Sequence, residues 1–134
     1  MEMDRIVVVT ETPGLANALS AWFLADRCRV TTVTTFAAAN VQLRKRPDLV
    51  ITDVKLGDFN GLHLALKARH RGIPAVVIGE PDALLERDAM ELGAAYVTPA
   101  SLDRERLMML AQHLMRPICR NDPGASTAGS GYRM

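Results

Sequence analysis

Two carboxylates stand where a sheet protein can use them. Asp53 follows a short apolar run, Leu49 to Ile51, and precedes Gly57, Asp58, Asn60 and Gly61, which form turns rather than strands. It is therefore expected at the carboxyl end of a strand, the edge where loops diverge and open parallel sheets place ligands. A carboxylate there can also do no more than cap loop amides, and this stretch alone leaves both readings open. Glu11 follows a second buried run, Ile6 to Val9. Two carboxylates across one crevice repel unless a hydrated divalent cation or a shared proton relieves them, so a weak Mg2+ site is one resolution. The competing reading sends Glu11 to solvent beyond its strand.

Other residues offer less. His63, His70 and His113 are spread over two helical segments with no Cys or carboxylate at metal spacing, and are expected as solvated surface residues. Met108, Met109 and Met115 are expected to pack a helix, with part of the stretch available to an interface. Arg44, Lys45 and Arg46 suit a helix end better than a nucleic-acid patch. Cys28 and Cys119 form neither a metal nor a redox spacing and are read as free thiols in a reducing cytoplasm. No phosphate-binding glycine loop, zinc motif or nucleophile elbow occurs.

The elements that position Asp53 and Glu11 follow from periodicity. Ile6 to Val9 is a strand buried on both faces, ended by Thr10, Glu11, Thr12 and Pro13. Leu15, Leu19, Trp22 and Phe23 line one face of a first helix running to about Ala25. Cys28 to Val33 has the mixed character of an edge strand, and an Ala-rich helix spans Phe36 to Arg46, stopped by Pro47. After the Asp53 strand come a helix over Leu62 to Arg71, a strand over Pro74 to Ile78, and a helix aligning Leu85, Ala89 and Leu92, capped by Gly93. A fifth strand covers Ala95 to Thr98. Ser101 is expected to cap a last helix carrying Leu107, Leu110, Ala111 and Leu114. Five strands alternating with five helices, joined by right-handed crossovers, give an α/β flavodoxin-like doubly wound parallel sheet of order 2-1-3-4-5. The carboxyl ends of strands 1, 3, 4 and 5 then bring Glu11, Asp53, Gly79 with Glu80, and Thr98 with Pro99 to one pocket.

At 134 residues, with 49% apolar and 23% charged residues and a net charge of +1, the chain is expected to be one soluble domain with no general attraction to nucleic acid or membrane. Residues 1–116 form that domain. Residues 117–134 are rich in Gly, Ser and Pro and are expected to be a flexible tail or linker. The acidic start, MEMDRIVVV, has no leader pattern, and no apolar run approaches the ~20 residues of a membrane helix.

From Arg5 to Arg116 the chain resembles the receiver domain of two-component response regulators. The segment TDVKLGDFNGL is similar to the family's phosphoacceptor loop, with Asp53 at the phosphorylated aspartate and Asn60 and Gly61 in the following turn. Pro13, the segment IPAVVI and the segment LGAAYV fall at the family's spacing, and Tyr96 stands where the family has its aromatic switch residue. The resemblance implies a Mg2+ site from Glu11, Asp53 and the Lys55 carbonyl, and a switch pair at Gly79 and Tyr96.

Three positions depart from the family's pattern. Its acidic pair after strand 1 is here Thr10 and Glu11; the Ser or Thr that ends strand 4 is Gly79; the Lys after strand 5 is missing from Thr98, Pro99 and Ala100. A phosphoryl group adds negative charge and acceptor oxygens, which the family meets with metal, Lys and hydroxyl. Pro99 brings no charge and no backbone donor, and Gly79 no hydroxyl. Glu80 has the wrong sign to compensate, and Thr98 is expected to point across the strand from the crevice. The expectation is an atypical or pseudo-receiver, not an enzyme, that is cytoplasmic, binds Mg2+ weakly and takes little or no phosphoryl on Asp53. It would act through a signalling partner such as a histidine kinase or effector domain, or through a homodimer on the face of helix 4, strand 5 and helix 5. The alternatives are a functional phosphoacceptor receiver and a flavodoxin-like ligand-binding domain or enzyme.

Overall fold

The computed structural model describes residues 3–116. Its strands are β1 (Arg5–Val9), β2 (Arg29–Val33), β3 (Leu49–Asp53), β4 (Ala75–Ile78) and β5 (Ala95–Val97). All pair in parallel, in the order β2-β1-β3-β4-β5. The helices are α1 (Pro13–Ala25), α2 (Phe36–Leu43), α3 (Gly61–His70), α4 (Ala83–Glu91) and α5 (Arg104–Met115). This is the flavodoxin-like sheet that the alternation of apolar runs implies.

Strand periodicity divides the core into two layers. Val7, Val9, Val50 and Val77 face Leu43 of α2, Leu64 and Ala68 of α3, and Ala89 of α4. Ile6, Val8, Ile51 and Val76 face Leu19 and Phe23 of α1 and Leu107 and Ala111 of α5. Each fully buried aliphatic side chain contributes about 1.5–3 kcal/mol, so the three central strands are the most firmly held elements. Their carboxyl ends form a rigid edge. Among the described residues no helix is long and apolar enough to cross a membrane.

Several local expectations are corrected. Helix α2 ends at Leu43 rather than Arg46, because Arg46 turns into the left-handed region at φ 53° and Pro47 disfavours helix in the residue before it. The cap of α5 is Asp103, whose carboxylate accepts from the Arg106 amide at 2.9 Å. Ser101 instead ends a single 3-10 turn begun by Pro99, with its hydroxyl 2.9 Å from that of Thr98. The turn formers after Asp53 include a two-residue antiparallel hairpin, Lys55–Leu56 with Phe59–Asn60, before Asn60 caps α3 through the Leu62 amide at 2.7 Å. Cys28 is a buried free thiol just before β2, while Cys119 and the tail from Pro117 lie outside the described residues. Met109 is 71% exposed rather than packed, whereas Met108 and Met115 lean on the α1–α5 layer.

Candidate functional site

At the carboxyl edge, β1 and β3 deliver the acidic groups. Register pairs Val9 with Thr52, so the next residues of each strand, Thr10 and Asp53, come side by side. Thr10 is 3% exposed, and its hydroxyl donates to Asp53 Oδ2. Asp53 is half-buried, and that burial pushes its carboxyl above the ordinary value of 3.8. The Thr10 hydroxyl opposes the shift, the Glu11 charge adds to it, and the Glu11 amide opposes it again. Glu11 is exposed yet borders the same cavity as Asp53. A Cβ on Gly57, which sits at φ +60°, would lie 3.5 Å from Glu11 Oε2, so the carboxylate leans over the β3–α3 loop.

That loop is held against β3 by a close approach. The Gly61 amide donates to the Val54 carbonyl at 2.7 Å, and a methyl group on Gly61 would overlap the Asp53 carbonyl oxygen. Only glycine allows the start of α3 to lie this near the acidic residue.

The β4 and β5 side is built differently. At the end of β4, Gly79 leaves a space that Tyr96 of β5 fills. The Tyr96 hydroxyl donates to the Glu80 carbonyl at 2.7 Å. A Cβ on Gly79 would collide with that hydroxyl and stand 2.8 Å from Val54 Cγ1. Partial burial, then the charges of Asp82, Glu86 and Glu80, raise the Tyr96 phenol and keep it a neutral donor. Pro99 borders the cavity beside Asp53, and Thr98 does not, its hydroxyl being occupied with Ser101.

Between the two sides opens a cavity of about 680 Å³. Its acidic rim includes Glu11, Asp53, Glu80 and Asp82, with Lys55 as the single basic residue lining it among the described residues. Mg2+ keeps most of its water and is bound by one or two carboxylates, so Glu11 and Asp53 fit a weakly held hydrated ion. They do not make a dedicated cage. Among the described residues no three His, Cys, Asp or Glu are gathered for a metal. Of the histidines, His63 packs on Phe36 with ring centroids 5.6 Å apart, beside the 4.8 Å stack of Phe36 on Phe59.

Sequence reasoning placed Glu11, Asp53, Gly79 and Pro99 together, and the structure does bring them to one cavity. It missed the Thr10 bond to Asp53, for which the adjacency of strands 1 and 3 was the available signal. It also missed Leu15 and Leu102 as walls, and the Tyr96 bond to Glu80, for which the sequence held no signal.

No family model matches the chain. The "Probable transcriptional regulatory protein TcrX" of Mycobacterium tuberculosis is 30% identical over 135 residues, covering 96% of this chain and 55% of that protein. The "TorCAD operon transcriptional regulatory protein TorR" of Escherichia coli O157:H7 is 25% identical over 114 residues, covering 83% of this chain and 50% of that one. The chain thus spans about half the length of the curated relatives it matches. Among solved structures, the beryllofluoride-activated NtrC4 receiver domain dimer superposes with a TM-score of 0.78 at 19% identity, over 86% of this chain and 98% of that one. The chain thus has the fold of response-regulator receiver domains and aligns along most of its length with two transcriptional regulatory proteins.

Proposed function

We propose that this domain is an atypical receiver, a non-enzymatic signalling module in which Asp53 is the phosphoacceptor position but takes little or no phosphoryl group. One observation carries the reading. The Tyr96 hydroxyl rests on the Glu80 carbonyl over Gly79, so the β4 end has neither a hydroxyl to offer nor space for one. Across the cavity Pro99 supplies no cation. Where one preorganised donor has been removed from an enzyme, the rate falls on the order of 10²-fold or more, and here two are missing. Mg2+ would be held by Glu11, Asp53 and the Lys55 carbonyl, and would supply only partial neutralisation.

Output would pass through protein contacts with a kinase or effector domain, or a second copy, on the face of α4, β5 and α5. Arg87 is exposed on α4, and Arg106 shares a hollow with Tyr96 and Leu110. Arg104 borders a separate hollow with Met108 and Met109. Charge reversal at Arg87 and Arg106 is therefore the change expected to weaken partner binding. Residues 1–116 would form the domain and 117–134 a tail or linker.

A functional receiver is the second reading, favoured by the position of Asp53, half-buried but bordering an open cavity beside Glu11. Acetyl phosphate with Mg2+, followed by intact mass, separates the two. The expected result is no accumulation of a phosphoryl adduct, with Mg2+ titrated by Trp22 fluorescence saturating only in the millimolar range. Saturation at micromolar Mg2+, or full labelling that Asp53→Asn abolishes, would establish the functional receiver.

A further inference from the structure

One flank of the domain carries no charge. No Asp, Glu, Lys, Arg or His occurs from Thr12 to Ala25 or from Val30 to Leu43, two stretches that hold all of α1, most of β2 and all of α2. Each of α3, α4 and α5, by contrast, bears charged residues. Helices α1 and α2 lie on opposite faces of the sheet beside β2, the strand at its end. Each offers solvent one large apolar side chain, Leu24 at 58% and Val41 at 47% exposed. Between them β2 exposes Thr31 and Thr32, with Thr34 and Thr35 exposed just after it. Edge strands that meet water alone are ordinarily guarded by charge, because their open backbone groups invite pairing.

The open groups of β2 can be assigned. The Arg29 amide donates to the Asp4 carbonyl at 2.8 Å, and the Val33 carbonyl accepts from the Thr10 amide at 3.1 Å. Arg29, Thr31 and Val33 therefore turn their backbone groups toward β1. Val30, Thr32 and Thr34 turn theirs outward, where among the described residues no strand pairs with β2.

We propose that this flank is an interface with a second copy of the chain, in which β2 pairs antiparallel with β2 of its neighbour about a two-fold axis at Thr32. The outward amides and carbonyls call for an extended occupant, and the uncharged helices on either side for an uncharged one. A second copy meets both conditions by symmetry, since a two-fold interface sets one patch against itself. In this register Thr32 faces Thr32, Val30 faces Thr34 and Thr31 faces Val33, so β-branched residues stand opposite one another and each outward donor meets an outward acceptor. Arg29, the one charge on the strand, falls opposite Thr35 rather than opposite its own copy. The surface is at the far end of the sheet from β5, so the inference stands or falls apart from the proposed function.

Sedimentation equilibrium of the full chain from micromolar to millimolar concentration, with amide hydrogen exchange on the same samples, tests the interface. Self-association is expected, with protection of the Val30, Thr32 and Thr34 amides rising with concentration. Thr32→Pro removes an outward amide without touching the β1 ladder, and Thr32→Lys sets like charges across the axis. Each should weaken the association that protects β2 at least about tenfold, with the urea midpoint close to that of the parent. Arg87→Glu/Arg106→Glu, on the far side of the sheet, should leave the concentration dependence at β2 unchanged. A chain that stays monomeric at millimolar concentration, or association that leaves the β2 amides unprotected or survives both Thr32 variants, would overturn the proposal. Protection of these amides that does not vary with concentration would also overturn it, and would point to cover from within the same chain.

Discussion

The two halves of the cavity solve opposite problems. On the β1–β3 side, two carboxylates are brought together and eased by a neighbouring hydroxyl, with Thr10 donating to Asp53 and Glu11 leaning aside over Gly57. On the β4–β5 side no cation and no free hydroxyl is offered: Tyr96 fills the space over Gly79, Pro99 closes the corner, and Glu80 and Asp82 add only further negative charge. Carboxylates with no free donor opposite Asp53 hold the pocket in one state toward a phosphoryl group. A two-state element shifts only when a ligand contacts its two states differently, and here the β4–β5 wall has no group with which to make that contact.

Disturbing the acidic half at its closest approach should cost most. Gly61→Ala sets a methyl against the Asp53 carbonyl, a backbone atom that cannot swing away. Overpacking of this kind costs about 3 kcal/mol, read as a fall in the urea midpoint with unchanged slope. Unchanged stability would mean that the α3 start is not held against β3.

A smaller effect tests the other half. Gly79→Thr must expel Tyr96 from its bond to Glu80 and press on Val54, with an expected loss of about 2 kcal/mol. In a Tyr96→Ala background about half of that loss should vanish, the clash with Val54 remaining, which gives a coupling of about 1 kcal/mol in the double-mutant cycle. Additive losses would show that Tyr96 does not occupy the space over Gly79.

The smallest effect is electrostatic. Burial first, and the Glu11 charge after the opposing Thr10 bond, hold the Asp53 carboxyl above its ordinary 3.8, so the folded protein binds this proton more readily than the unfolded chain. Stability from this group therefore falls as pH rises from 3.8 through the raised folded value, and the full penalty is present at neutral pH. Asp53→Asn should accordingly raise the urea midpoint slightly at pH 7 with the slope unchanged, and the gain should disappear on acidification below 3.8. A destabilised variant at pH 7 would show the carboxylate to be favoured by its surroundings.

What could be read in the sequence divides along the same line. Asp53 was legible because a buried strand must end in polar residues and the glycines behind it leave no alternative to a turn. The sheet order followed from five apolar runs separated by helical periods. Ser101 was misplaced as a cap because its type suits that role equally at either of two nearby positions, and the Pro99 turn decides between them only in three dimensions. The extent of α2 failed for a related reason, since a left-handed Arg46 carries no mark of its conformation in its side chain. The Tyr96 seat was invisible, as it depends on an absence at Gly79 that only the folded neighbour makes meaningful.

The most direct measurement is the rate at which acetyl phosphate with Mg2+ labels Asp53 in the parent chain and in Gly79→Thr/Pro99→Lys. The double variant returns a hydroxyl to the end of β4 and a cation to a position that borders the cavity, with Tyr96 displaced. Labelling of the folded double variant should exceed the parent by at least on the order of 10²-fold. A folded double variant that labels no faster, or a parent that already labels to completion, would contradict the view that the β4–β5 wall limits phosphoryl transfer.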